Sequence, residues 1–186
     1  MKPLVLILLT FLLVHCANTN TPHYTSKPME VETLIGEEGE TVILGAMNRA
    51  NLNTEEFMAW FQLEYDRLII PKSWVEEHAS LVKNLNFKLF LGTWCGDTQR
   101  ELGGMFKILD ALGVNENQIE MYALSEFKDS PLGYEKEYDI LNIPTLIFFD
   151  KEKELNRIVE FPVESLLEDF SKILKRKPYK DAYADF

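Results

Sequence analysis

From residue 87 onward, short unbroken apolar runs alternate with longer stretches in which apolar residues recur every three or four positions. The run 87–91 (Phe87, Leu89, Phe90 and Leu91 around Lys88) is bounded by Asn86 and Gly92, which predicts a short buried strand. Leu102, Met105, Phe106, Leu109 and Leu112 keep a helical period, which predicts a helix from about Cys95 or Asp97 to Leu112, ended by Gly113. Residues 119–124 form a second apolar strand, 131–138 a short helix, and 145–149 a strongly apolar third strand. The polar turn 150–153 leads into 155–161, whose imperfect alternation predicts the return arm of an antiparallel hairpin. Pro162 then opens a last helix near 163–174, with Leu166, Leu167, Phe170 and Leu174 inward.

Upstream of residue 87 the pattern is mostly helical. Asn53 followed by Glu56 has the form of a capping box, and Phe57, Trp60, Phe61, Tyr65 and Leu68 follow at helical spacing. Trp60 and Phe61 belong to a core stripe on that reading. Pro71 ends this helix. Ser73 with Glu76 reads as a second capping box, and Val75, Ala79, Val82 and Leu85 extend its period to 85. His78 has no second metal ligand near it in sequence and is expected to be a surface or structural residue. Before residue 53 only 41–44 has the character of a strand, so 17–52 is expected to be a tether or extended segment.

From residue 87 the order is therefore strand, helix, strand, helix, strand, strand, helix. Helical crossovers give parallel neighbours, and the closing hairpin adds antiparallel ones. The expected fold is α/β: a central mixed sheet flanked by helices on both faces, with an N-terminal helical extension. The folded unit is expected over 53–178, with a tail at 179–186.

The first residues differ from the rest. Lys2 precedes an apolar run from Leu4 to Val14, broken only by Thr10. At about eleven residues it has the length of a signal-peptide core and is short for a bilayer span. Residues 1–16 are read as an export signal, so the protein is expected in the periplasm or cell envelope. Two ways of cutting it stay open. Leu13-Val-His-Cys16 has the form of a lipoprotein box, which would acylate Cys16 and anchor the chain to a membrane. His15 departs from the Gly, Ala or Ser that such boxes carry there, and the other reading is ordinary cleavage near Cys16 or Ala17.

Composition narrows the function. With 46% hydrophobic and 12% aromatic residues the chain can bury a sizeable core. A net charge of −11, with Lys175-Arg-Lys177 as the one dense basic run, excludes a phosphate-neutralising surface, so no nucleic-acid partner is expected. Gly92 and Gly96 lack the lysine of a nucleotide loop. No cofactor and no metal are expected, and the protein is expected to be a monomer. Cys16 and Cys95 are the only cysteines. If Cys16 is removed or acylated, one thiol remains, and an exported protein with one free thiol calls for an explanation.

That thiol sits where the strand at 87–91 hands over to the following helix. There the first free N–H groups and the helix dipole favour a thiolate by about 0.3–1 kcal/mol, whereas an ionised Asp97 about 6 Å away opposes it by roughly 0.7–2.8 kcal/mol. The ranges overlap, and the sequence leaves the sign open. Trp94 would shield one side of the sulfur and offer a flat apolar surface to a partner.

Trp94-Cys-Gly-Asp97 resembles the Trp-Cys-Gly-x-Cys motif of the thioredoxin family, and Ile143-Pro-Thr145 resembles that family's cis-proline segment. The resemblance covers about residues 87–175 and implies a thioredoxin fold. It implies further that Cys95 is the attacking cysteine, and that Trp94, Ile143, Pro144 and Thr145 line the substrate site. The stretch from Trp60 to Tyr179 is also similar to a group of exported thioredoxin-like proteins with Gly-Thr-Trp-Cys-Gly-Asp followed by Ser or Thr. The segment Glu154–Pro162 matches that group too.

Three departures separate the chain from the dithiol members. Thr98 stands at the resolving cysteine, Leu89 at a buried Asp that helps move a proton, and Gly103 at a helix-kinking proline. Thiol–disulfide exchange passes through a mixed disulfide, and Thr98 cannot resolve one. At most its hydroxyl would donate to the Cys95 sulfur, worth about 0.5–1.5 kcal/mol. The expected function is a monothiol redox protein whose partners are protein thiols or disulfides, or a small thiol. The alternative is a non-catalytic thioredoxin-fold module that binds an extended peptide or protein.

Overall fold

The structure, a computed structural model, describes residues 26–185. The expected signal sequence, and Cys16 with it, lies outside them. The elements in chain order are β1 (Glu32–Ile35), β2 (Thr41–Met47), α1 (Glu55–Arg67), α2 (Lys72–His78), β3 (Leu85–Leu91), α3 (Gly96–Ala111), β4 (Ile119–Ala123), α4 (Tyr134–Glu137), β5 (Thr145–Asp150), β6 (Lys153–Val159) and α5 (Leu166–Leu174).

The strands form one sheet in the order β1-β2-β4-β3-β5-β6. β3 is parallel to β4 across an α3 crossover, and antiparallel to β5. β5 and β6 make the closing hairpin, with a bulge at Phe148 and Phe149. From β3 onward the elements along the chain follow the order read from the sequence, and the fold is thioredoxin-like. Both faces are covered, but unequally. Phe87, Leu89 and Leu91 of β3 point to the face covered by α1, α3 and α5, where Phe57, Phe61, Leu102, Phe106 and Phe170 complete the main core. Phe90, Ile147 and Phe149 point to the other face, covered by the one-turn α4 and its flanking loops. Leu89, the residue at the place of the acid, is wholly inside the main core.

Residues 32–52 differ from the extended segment expected there. β2 is longer than 41–44, pairs antiparallel with β4, and buries Ile43 and Met47 in the main core. A 3₁₀ turn, Arg49–Leu52, then buries Leu52 and Arg49. Arg49 donates both ways to the Asp110 carboxylate at 2.9 Å, Tyr65 donates to the same carboxylate, and the guanidinium lies 4.4 Å from the Phe106 ring centre. Burial presses the Arg49 group below its usual range, and Asp110 opposes that shift. A cation amid polar neighbours in sequence gives no sign that aromatic rings will enclose it.

The helical extension also differs at its ends. Thr54 rather than Asn53 caps α1, accepting from the Phe57 N–H. Pro71 stands at the cap position of α2 and Ser73 lies within the helix, so the second capping box does not form. α2 stops at His78; Val82 and Leu85 are buried as their period implied, but from a turn and from β3. His78 is structural rather than superficial. It is fully buried, 2.7 Å from the Trp74 carbonyl and 2.9 Å from Ser171 Oγ, and so joins α2 to α5. The last helix starts at Leu166 with Ser165 as its cap. Asp169 is fully buried and accepts from the Val163 and Glu164 N–H groups and from the Tyr179 hydroxyl, which ties the tail to α5.

Gly103 has a physical reason. A Cβ there would fall 2.5 Å from the Phe61 carbonyl oxygen and 2.5 Å from the Tyr65 nitrogen, both backbone atoms of α1. α1 packs its backbone directly on α3 at this residue. Gly103→Ala should therefore cost about 1–3 kcal/mol in a urea unfolding titration. Gly96→Ala, where a Cβ meets nothing within 4 Å, should change stability by less than about 0.5 kcal/mol. Equal losses would contradict the close approach of α1 and α3.

Candidate functional site

The end of β3 and the start of α3 are joined by Gly92, Thr93, Trp94 and Cys95, and each is fixed by a different neighbour. A Cβ on Gly92 would fall 2.7 Å from Trp94 Nε1 and 2.8 Å from Ile143 Cδ1, so only glycine lets these two side chains close over the loop. Thr93 is buried; its hydroxyl donates to the Thr41 carbonyl at 2.8 Å and accepts from the Ile43 N–H at 3.1 Å, which ties the loop to β2. Trp94 is half-buried and donates through Nε1 to the Leu124 carbonyl at 2.9 Å, just beyond β4. Cys95 is the N-cap of α3, with extended φ and ψ, and its carbonyl accepts the Gln99 N–H at 3.0 Å.

The Ile143–Pro144 peptide is cis, and this segment lies against the cysteine. Cys95 Sγ donates to the Ile143 carbonyl at 3.6 Å, a contact only the protonated thiol can make. The residue is 8% exposed and packs with Phe90, Leu124, Ile140, Ile143 and Ile147. Thr145 is also buried, and its hydroxyl donates to the Asn142 carbonyl. The structure thus brings Trp94, Cys95, Ile143, Pro144 and Thr145 into one neighbourhood. Thr98 is there as well, but in a different role from the expected one. It is fully buried, and its oxygen accepts the Gly92 N–H at 3.2 Å instead of its hydroxyl serving the sulfur. It closes the strand-to-helix turn.

Two acids face each other at the rim. Asp97 pairs with Arg100 one turn on at 2.5 Å, and its carboxyl also contacts that of Glu160. Glu160 follows β6 with φ of 64°; its N–H donates to the Pro144 carbonyl at 2.7 Å, and its carboxylate accepts the Tyr183 hydroxyl. Partial burial and then Asp97 raise the Glu160 carboxyl above the usual range, against the smaller pull of Lys128 and Arg100. Lys128 itself donates to the Leu141 carbonyl at 2.8 Å and to Asn142 Oδ1 at 3.2 Å, pinning the loop after β4 to the proline loop.

Gly92, Thr93 and Glu160 escaped the sequence reading. Gly92 and Thr93 lie inside the motif and were legible as neighbours of Cys95, but their partners are just before β5 and on β2. Glu160 lies in a segment that matched only by resemblance, more than sixty positions from Asp97, and nothing in its spacing ties it to the cysteine.

No protein-family model matches the chain, and no curated protein matches it. Among solved structures it is similar to a protein of unknown function from Pseudomonas aeruginosa: 17% identity, 69% of this chain and 80% of that one covered, TM-score 0.46. It is similar to an HIV epitope-scaffold, with 17% identity, coverage of 69% and 82%, and TM-score 0.45. It is also similar to thioredoxin O2 from Arabidopsis thaliana in its oxidised state, with 17% identity, coverage of 58% and 91%, and TM-score 0.35. Likenesses this distant transfer neither activity nor partner.

Thr93→Val should cost about 1–3 kcal/mol in thermal or urea unfolding, because the buried Ile43 N–H and Thr41 carbonyl both lose their partner; Thr93→Ser should recover most of it. Glu160 gives a pH test. An acid with a raised folded pKa supports the fold while protonated and weakens it as pH rises through that pKa. Glu160→Gln should therefore melt above the parent at pH 7.5, and the gap should shrink as pH falls through the raised pKa toward the ordinary glutamate range, below which it should change no further. A gap that widens on acidification would contradict the assigned direction.

Proposed function

We propose that this is a thioredoxin-like monothiol redox protein that forms mixed disulfides through Cys95. The observation that carries the reading is the position of the sulfur, at the N-terminus of α3 and 3.6 Å from the Ile143 carbonyl beside a cis proline. In the first step the Cys95 thiolate attacks one sulfur of a disulfide RS–SR′. The Cys95–SR bond forms, the S–S bond breaks, and R′S⁻ leaves and takes up a proton. Thr98 has no thiol, so the second step needs an outside thiol, a small one or that of a partner protein. That thiolate attacks the R sulfur, leaves as R″S–SR, and returns Cys95 as thiolate.

Export follows from the apolar N-terminal run, and lipidation of Cys16 would hold the protein at a membrane surface of the envelope. The motif Gly92–Thr98, similar to that of an exported thioredoxin-like group, supports the same setting. The second reading, a non-catalytic binding module, draws on one observation. Cys95 is nearly buried, and its S–H is engaged by a carbonyl, so a partner must displace the Ile143 contact to reach the sulfur.

The alkylation rate of Cys95 across pH separates the two. A rate above that of a free cysteine peptide near neutrality, with a midpoint well below about 8.5, supports redox chemistry. A slow reaction that unfolding accelerates supports the binding module. Thr98→Cys should add the missing resolving thiol, form a disulfide with Cys95, and give measurable protein-disulfide reduction where the parent gives none. An inert variant with its two thiols bonded would count against an exchange site.

A further inference from the structure

The surface beside the Cys95 loop carries an apolar groove of about 370 Å³ that the thiol chemistry does not use. Its walls are Leu34 and Ile35 at the end of β1, Val42 and Leu44 of β2, and Phe127 in the loop after β4. The loop is shaped by its own bonds. The Ser125 N–H donates to the Asp129 carbonyl at 2.9 Å, and the Lys128 N–H to the Ser125 carbonyl at 2.8 Å. The Lys128 side chain is spent on the proline loop, which leaves Phe127 89% exposed over the groove. Leu34, which the register places on the same face as Val42 and Leu44, is 47% exposed at the opposite wall. Large apolar side chains that face one another across a concave surface mark an interaction site more than isolated ones do.

The charge of the lining defines what fits. The groove's charged lining residues are Glu37, Glu126 and Asp129, all acidic. A second copy of this chain would bring the same three carboxylates to a two-fold contact, and like charges facing each other oppose it.

We propose that this groove docks an extended apolar segment of another protein, flanked by Lys or Arg, with its apolar side chains between Leu34 and Phe127. The groove adjoins the thiol site through bonds already described: Trp94 to Leu124, the residue before Ser125, and Thr93 to Thr41 and Ile43 of β2. Docking does not depend on the reactivity of Cys95.

The test uses the mature full chain and a labelled peptide of about ten residues, Val and Phe alternating with Thr, with Lys at both ends. Its control carries Glu in place of Lys. By fluorescence anisotropy at low salt the Lys peptide should bind at least about tenfold tighter than the Glu peptide, and the gap should narrow as salt screens the rim. Leu34→Ser and Phe127→Ser should each weaken binding about fivefold or more. Ile69→Ser, at an exposed apolar site elsewhere, should not. Both groove positions are exposed enough that a melting curve should show folding retained. Cys95→Ser should bind as the parent does. Equal affinity for the two peptides, no binding of either, or indifference to both groove variants would overturn the proposal. So would loss of binding in Cys95→Ser, which would put the peptide at the thiol site. A dimer abolished by Phe127→Ser in sedimentation would give the groove to a second copy and likewise overturn it.

Discussion

The site depends on four consecutive residues being held from three sides. Gly92, Thr93, Trp94 and Cys95 leave the sheet at the end of β3, and a loop this short with no side bonds would let the start of α3 swing. Thr93 fixes it to β2, Trp94 to the chain just past β4, and Cys95 to the segment before β5. Each tie is a hydrogen bond to backbone in or next to a strand, so the sheet order decides where the sulfur goes. Thr98 then closes the turn from the helix side by taking the Gly92 N–H. The mouth of α3 faces the proline loop as a result of these constraints, and the sulfur meets that loop at the Ile143 carbonyl.

The same arrangement explains why Leu89, Gly103 and Thr98, where the sequence differs from the dithiol pattern it resembles, are compatible with the fold. Leu89 sits in the apolar interior on the α1, α3 and α5 face, where an acid would need a partner that these neighbours do not offer. Gly103 lets α1 lie directly on α3. Thr98 keeps a hydrogen bond that a thiol would make only weakly. The departures from a dithiol pattern are therefore packed and bonded substitutions, consistent with a protein that uses one sulfur or none.

Much of this was legible in the chain. The strands at 87–91, 119–124 and 145–149 are short apolar runs closed by polar residues, and α3 carries an unbroken helical period, so their type and order followed from local pattern. Cys95 and Pro144 were legible through motifs. The misses share a cause. β2 and the Arg49 turn are stabilised by β4, Asp110 and three aromatic rings far along the chain, and no local period reports such partners. Val82 and Leu85 fell on a helical period because both are buried, yet a turn and a strand bury them. Glu160 reaches the site only because β6 ends beside the proline loop, a consequence of the hairpin register.

The measurement closest to the central claim is the intact mass of the folded protein after exposure to a small disulfide and then to an excess of a different thiol. A Cys95 that works through mixed disulfides should gain one adduct, mapped to that residue, and shed it completely on addition of the thiol, with the fold unchanged throughout. A protein that stays unmodified until denatured, although its sulfur lies at the mouth of α3, would show that the Ile143 contact seals the thiol and that the groove around it serves binding alone.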